Sequence, residues 1–281
     1  MGRKAKGMAE TILYGVGVGP GDPELMTLKA ARLIRENRVI ALPGRTPRET
    51  AAYRIAVRAV PELAGKQLLP LDFPMTEDPG KLAESLRANA VLVERELLGG
   101  ENVIFLTLGD VSVYSTFSEL RREVERDGFR TEAVSGIPSF CAAAARAGVP
   151  LCERRERLVI IPALPGEAEP AGRPADPAAE LPAESDEPAA GHLDESVAES
   201  ALAPAGQETC VLMKSGSSLG KIRDRCRDAG LSLWVMENCG MPGERIYRSL
   251  EEIPEQGGYF TLAVVRGLRA REILFAEPEK P

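Results

Sequence analysis

Through the first half of the chain, short apolar runs alternate with amphipathic stretches, the pattern of an α/β sheet covered by helices. "ILYGV" predicts a strand that ends among the glycines from Gly15 to Gly21. Asp22 then offers an N-cap, Pro23 suits the first helical position and Glu24 the positive helix end, while Met26, Ala30 and Leu33 share one face. "RVIAL" predicts a second strand, Thr50 to Val60 and Pro79 to Leu98 predict helices, and "NVIFLTLGD" predicts a third strand. The helix pattern "TFSELRREVERDG" stops at Gly128, "RTEAV" reads as another strand, and Gly136 and Pro138 open the small-residue helix "SFCAAAARAG".

The second half has a different rhythm. "LVIIP", "TCVLMK", "LSLWVME", "ERIYRSL" and "YFTLAVVRG" predict strands around one long helix, Ser218 to Ala229, which suggests a second α/β domain with more antiparallel pairing. The expected organisation is a disordered tail over 1–10, an N-terminal α/β domain over 11–135 and a C-terminal α/β domain over 136–281. A Pro- and Ala-rich tract interrupts the second domain. Ala163 to Ala205 holds ten acids, one arginine and seven prolines, and shows no apolar periodicity before His192. Such a composition buries too little to offset its ordering entropy, so a disordered acidic insert is expected at about 166–190, with a short helix over "HLDESVAESALA" after it.

That tract changes the meaning of the charge. The 281-residue chain carries −7, but the tract alone carries −9 and leaves +2 on the rest. The folded part therefore suits an anionic ligand. No apolar run approaches the ~20 residues a membrane span needs, and "MGRKAKGMAE" leads into no apolar signal core, so a cytoplasmic protein is expected. The five cysteines are odd in number and never form a CxxC pair, which disfavours a disulfide framework or a structural zinc. With His192 as the one histidine, a His-based triad or a multi-histidine metal site has no material, and no bound metal is expected. No basic stripe with interleaved aromatics points to nucleic acid.

The glycine-rich opening loop fails the usual phosphate-loop tests. A GxGxxG pattern begun at Gly15 meets Pro20 at its last position, one begun at Gly17 meets Asp22, and no Gly-Lys-Ser/Thr triplet follows. Taken together, "VGVGPGDPELMTLKA", "LGDVSVYSTF", "VSGIPSFCAAAARAGVPL", "VLMK" and "ENCGMPGERIYRSLEEI", in this order, resemble the tetrapyrrole methylase family. Within it they are most similar to the branch that methylates C20 of precorrin-2 or of cobalt-factor II. The resemblance runs from Thr11 to about Gly267 apart from the acidic tract.

The resemblance implies two α/β domains with S-adenosylmethionine in the cleft between them, a homodimer, and C-methylation of a tetrapyrrole in cobalamin biosynthesis. By motif, it implies cofactor contacts at Pro20, Leu108, Gly109, Asp110, Val113, Tyr114, Ser139, Phe140 and Met213. Glycines let main-chain groups approach a zwitterionic ligand, and Leu and Met suit an adenine and a thioether. Asp110 and Tyr114 are the candidate catalytic residues; Asp110 equally fits a turn aspartate capping the next helix, and Tyr114 equally fits a packing role. Arg45, Arg48 and Lys214, at strand ends, are candidates for the substrate's carboxylates. Two departures stand out. Val111 takes the place of a proline common among relatives, and Pro43 lies near the place where the uroporphyrinogen-methylating relatives carry an aspartate. The alternatives are a methylase of another precorrin intermediate and a non-catalytic nucleotide-binding module.

Overall fold

The computed structural model describes residues 11–74, 76, 78–161, 207–268 and 270. They form two compact units, one running up to Val149 and including Met236–Ile246, the other made of Pro150–Val235 and the chain from Tyr247 onward. The tail over 1–10, the insert at 166–190, His192 and the helix expected after it lie outside the described residues.

The first unit is built on a five-stranded sheet of β1 (Ile12–Gly17), β2 (Val39–Pro43), β3 (Gln67–Leu71), β4 (Val103–Thr107) and β5 (Arg130–Val134), in the order β3-β2-β4-β1-β5. Each pairing is parallel, with Leu13 opposite Val103 and Ile12 opposite Arg130. A parallel sheet covered on both faces needs strands that are apolar on both sides, which is why "VIFL" and "VIAL" read as unbroken runs. Ile40, Leu42, Ile104 and Leu106 enter one core with α1 (Leu28–Glu36) and α2 (Ala51–Ala59). Their neighbours Val39, Ala41, Val103 and Phe105 enter the opposite core with α3 (Pro79–Leu98) and α4 (Phe117–Arg126).

Three sequence expectations change here. β3 was not predicted, because Pro70 sits within it and cannot donate to a ladder; as an edge strand, β3 tolerates the missing donor. Asp22 caps a 3-10 turn over Pro23–Leu25 rather than the long helix, accepting from the Glu24 amide at 3.0 Å. Met26 is extended, so α1 starts afresh from Thr27, whose hydroxyl accepts from the Ala30 amide at 3.2 Å. The third change is the domain boundary. Helix α5 (Ser139–Ala147) belongs to the first unit, so the break falls at Val149 rather than at 135, and Met236–Ile246 returns to that same unit.

A second sheet is made of β6 (Arg157–Ile161), β7 (Gln207–Met213), β8 (Ser232–Glu237), β9 (Arg245–Tyr247) and β10 (Thr261–Leu268), ordered β6-β7-β10-β8-β9. β10 is antiparallel to β7, as the strand-rich second half suggested, while β6 is parallel to it. Helix α6 (Leu219–Ala229) covers this sheet through Leu219, Ile222 and Cys226, which pack with Leu212, Val235 and Val265.

Candidate functional site

The strand order reverses around β1, with β4 on one side and β5 on the other, and their carboxyl ends bring three loops together. Open α/β sheets bind ligands at such a switch point. Val18 donates its amide to the Thr107 carbonyl at 2.9 Å, and Gly19 and Gly109 exchange amide-to-carbonyl bonds of 3.2 and 2.8 Å. The loops touch main chain to main chain. A Cβ on Gly17 would lie 2.5 Å from the Gly109 oxygen and 2.7 Å from the Gly136 nitrogen, and one on Gly136 would collide with the same Gly109 oxygen.

Asp110 ties this junction. One of its carboxylate oxygens accepts from the Gly136 amide at 2.8 Å, and the other accepts from the Ser112 amide at 2.8 Å and from the Ser112 hydroxyl. The side chain is buried, and both oxygens are engaged. It does not cap α4, whose N-cap is Thr116. Of the residues assigned by motif, Pro20 and Gly109 are buried, Leu108 and Val113 are half-buried, and Ser139 stands at the start of α5 behind Pro138, which supplies no side-chain cap. Phe140 is buried. Tyr114 is 49% exposed and adopts φ 47°, a conformation unusual for a residue with a side chain. Partial burial raises its phenol above the ordinary value, so at neutral pH it keeps its proton.

The Met236–Ile246 segment, which carries the start of the motif "ENCGMPGERIYRSLEEI", adds a brace to α5 whose pairing no sequence pattern announces. The Glu244 carboxylate accepts from the Gly240 amide at 2.6 Å and from Arg146 of α5 at 3.1 Å. Cys239 in the same segment is buried, which pushes its thiol up to about 11.

The candidate anion-binding residues are each engaged within the chain. Arg45 reaches Asp72 with two bonds of 2.7 and 2.9 Å, and Arg48 donates to the Tyr53 hydroxyl at 2.6 Å and the Ala64 carbonyl at 3.2 Å. Both follow the carboxyl end of β2. In the second unit, Met213 ends β7 half-buried, and Lys214 follows at φ 57° with its ammonium 5.1 Å from the centre of the Tyr259 ring. A depression of about 420 Å³ lies elsewhere, beside the amino ends of β2 and β4, lined among others by Tyr14, Lys29, Arg32, Glu36, Asn102 and Glu132. Its cations are matched by its own acids, Lys29 with Glu132 and Arg32 with Glu36, so it offers no net charge to a ligand.

Residues 12–254 match the family model described as Tetrapyrrole (Corrin/Porphyrin) Methylases. The "Probable cobalt-precorrin-2 C(20)-methyltransferase" of Methanocaldococcus jannaschii is 37% identical over 151 residues, which is 53% of this chain and 63% of that protein. The chain thus matches under two thirds of that relative's length. The "Cobalt-precorrin-2 C(20)-methyltransferase" of Salmonella typhimurium is 28% identical over 246 residues, 86% of this chain and 89% of that protein. Among solved structures, the uroporphyrin-III C-methyl transferase of Thermus thermophilus complexed with S-adenyl homocysteine superposes with a TM-score of 0.57 at 21% identity, covering 94% of this chain and 99% of that one. That likeness establishes the fold. With a family match across most of its length and the motif loops joined at one end of its first sheet, the chain belongs to the Tetrapyrrole (Corrin/Porphyrin) Methylases.

Proposed function

We propose that this protein transfers a methyl group from S-adenosylmethionine to C20 of precorrin-2 or its cobalt complex, giving precorrin-3A or cobalt-factor III in corrin-ring biosynthesis. The carrying observation is the junction of the three loops, whose glycines and Asp110 fall on the family motifs. Support for the C20 acceptor comes from relatives bearing that name, one of them matched over most of both chains.

S-adenosylmethionine, when bound, supplies a methyl group on a sulfonium, already activated toward an electron-rich carbon. The chain's own task is to position and to exclude water, and alignment alone is worth about 7–11 kcal/mol of barrier. The residues present fit this ligand: glycine loops whose main chains lie bare of side chains, flanked by apolar Leu108 and Val113. We assign the cofactor to Pro20, Leu108, Gly109, Asp110, Val113, Tyr114, Ser139 and the main chain of Phe140, and its adenosine to Met213. Asp110 acts as a positioning residue, because both carboxylate oxygens already accept hydrogen bonds from the loops they hold. Tyr114, protonated at neutral pH, donates a hydrogen bond toward the ligand. Arg45, Arg48 and Lys214 are assigned to substrate carboxylates. The reading includes a homodimer, supported by exposed apolar side chains on the first unit such as Leu28, which is 90% exposed. It also includes a cytoplasmic setting, supported by five cysteines that are all free.

The test is anaerobic incubation with S-adenosylmethionine and, in parallel, precorrin-2 and cobalt-factor II, followed by mass spectrometry. A gain of one methyl on either is expected, and which one gains it chooses the pathway. No gain on both, with the cofactor still bound, moves the activity to another precorrin; loss of cofactor binding ends the reading.

A further inference from the structure

The glycine-rich loop after β1 is supported from two sides. On one, Gly19 is bonded to Gly109. On the other, the turn that follows β8 lies against it at van der Waals range. A Cβ on Gly21 would collide with the Cys239 carbonyl oxygen and lie 2.7 Å from Cγ of Met241, and one on Gly240 would lie 2.5 Å from the Asp22 nitrogen. Pro20 stands in the chain between these two supports.

That turn is folded tightly and fastened to α5. Asn238, Gly240 and Gly243 have φ of 52°, 70° and 83°, and Met241 donates its amide to the Asn238 carbonyl at 2.8 Å. Glycine and, among the other residues, asparagine adopt such angles at least cost. The fastening is Glu244. One of its carboxylate oxygens accepts from the Gly240 amide at 2.6 Å and from Nη2 of Arg146 at 3.1 Å, and Nε of Arg146 lies 3.2 Å from each oxygen. Arg146 is in the last turn of α5, the helix that begins at Ser139 and Phe140. One carboxylate thus joins the turn behind Pro20 to the helix that opens the third loop.

The side chains of Arg146 and Glu244 are 49% and 23% exposed, so their pairing adds little to global stability. Its effect is local. A ligand held by main chain needs its loops at fixed spacing, and preorganised loops lose less on binding. Resting on the reading that S-adenosylmethionine lies at the loop junction, we propose that Glu244 is a positioning residue for the cofactor: with Arg146 it clasps the 238–244 turn to α5 and so holds Pro20 and Gly21 in the binding arrangement. What the clasp requires is the oxygen that Gly240 and Arg146 share, and not the negative charge.

The full chain is titrated with S-adenosylhomocysteine by calorimetry, and hydrogen exchange is followed without ligand. Glu244→Ala weakens binding by about tenfold or more, as loss of a charge-assisted bond does. Arg146→Ala weakens it by roughly two- to fivefold, as expected of an exposed pair. The two together cost no more than Glu244→Ala alone, because Arg146 acts through that carboxylate. Glu244→Gln keeps an oxygen for both donors and stays within about threefold of wild type. In Glu244→Ala, exchange quickens in the peptide carrying Gly21 and Asp22 and keeps its wild-type rate in the strands of the first sheet. Wild-type affinity in Glu244→Ala, additive losses in the double variant, or no rescue by glutamine overturns the proposal. Faster exchange throughout the first sheet also overturns it, since the clasp is then a general support of the fold. A wild-type protein that does not bind S-adenosylhomocysteine ends the cofactor reading and the proposal with it. The expected pattern of binding in a protein that methylates neither precorrin-2 nor cobalt-factor II sinks the named reaction and leaves the clasp standing.

Discussion

The two units join their strand-end loops by the same device and present opposite surfaces. In the first, Gly17, Gly109 and Gly136 let three loops touch through main chain, and the charge at the junction is a buried carboxylate already committed to amides. In the second, Gly216 lets one turn lie against the loop of Gly257 and Gly258, and what projects is an exposed aromatic pair beside a lysine. Close main-chain contact makes each surface rigid in both cases. The difference lies in what each junction holds: a buried carboxylate bonded to amides in one unit, and two exposed rings beside an ammonium in the other.

The largest effect expected from breaking this comparison is at Gly136. An added Cβ meets the Gly109 carbonyl oxygen and lies 2.8 Å from the Gly17 carbonyl carbon, and neither is a flexible chain end. Gly136→Ala should cost about 1–3 kcal/mol of stability or more, as overpacking does. It should also weaken S-adenosylhomocysteine by more than roughly tenfold, since a ligand held by main chain feels every displacement of the loop. Urea unfolding and calorimetry read the two effects, and undiminished affinity would mean the junction is not the cofactor's wall.

Asp110 gives a smaller and sharper test. Asparagine keeps one acceptor and replaces the other with a donor, so either the Gly136 or the Ser112 amide is left facing an N–H group, at about 1–3 kcal/mol. As a positioning residue, Asp110→Asn raises KM for S-adenosylmethionine while kcat stays within a few-fold. A base would show the reverse, with kcat down about 10²–10⁴-fold and KM little changed.

The mildest effect is on alkaline stability, where each unit holds a buried thiol. Burial, followed by the neighbouring Cys210, pushes Cys226 in the second unit up to about 12, and burial, followed by Glu244, pushes Cys239 in the first up to about 11. The folded protein holds these protons more tightly than the unfolded chain, whose thiols titrate near 9. Stability is therefore complete below about pH 9 and falls as pH rises through the interval up to the folded values. The urea midpoint should drop between pH 8 and about pH 10.5, and the drop should be smaller in Cys226→Ala; an equal drop would place the alkaline sensitivity elsewhere.

By itself the sequence determined the alternation of strand and helix, because strands covered on both faces must be apolar without a break and helices must carry one apolar stripe. It also determined which loops carry the family motifs, since those residue types stand in order along the chain. Where a local rule was broken, as by Pro70 in β3, only the sheet order could show that the strand is an edge and the break harmless. The start of α1 likewise differs from the sequence expectation, because Asp22 caps only the short turn and the extended Met26 moves the helix start to Thr27. Tertiary structure alone decided that Asp110 is a tie rather than a cap, that Met236–Ile246 returns to the first unit, and that Tyr259 and Phe260 face outward beside Lys214. Each of these brings together residues far apart in sequence, Asp110 with Gly136, Glu244 with Arg146 and Lys214 with Tyr259, and no local pattern announces such a meeting.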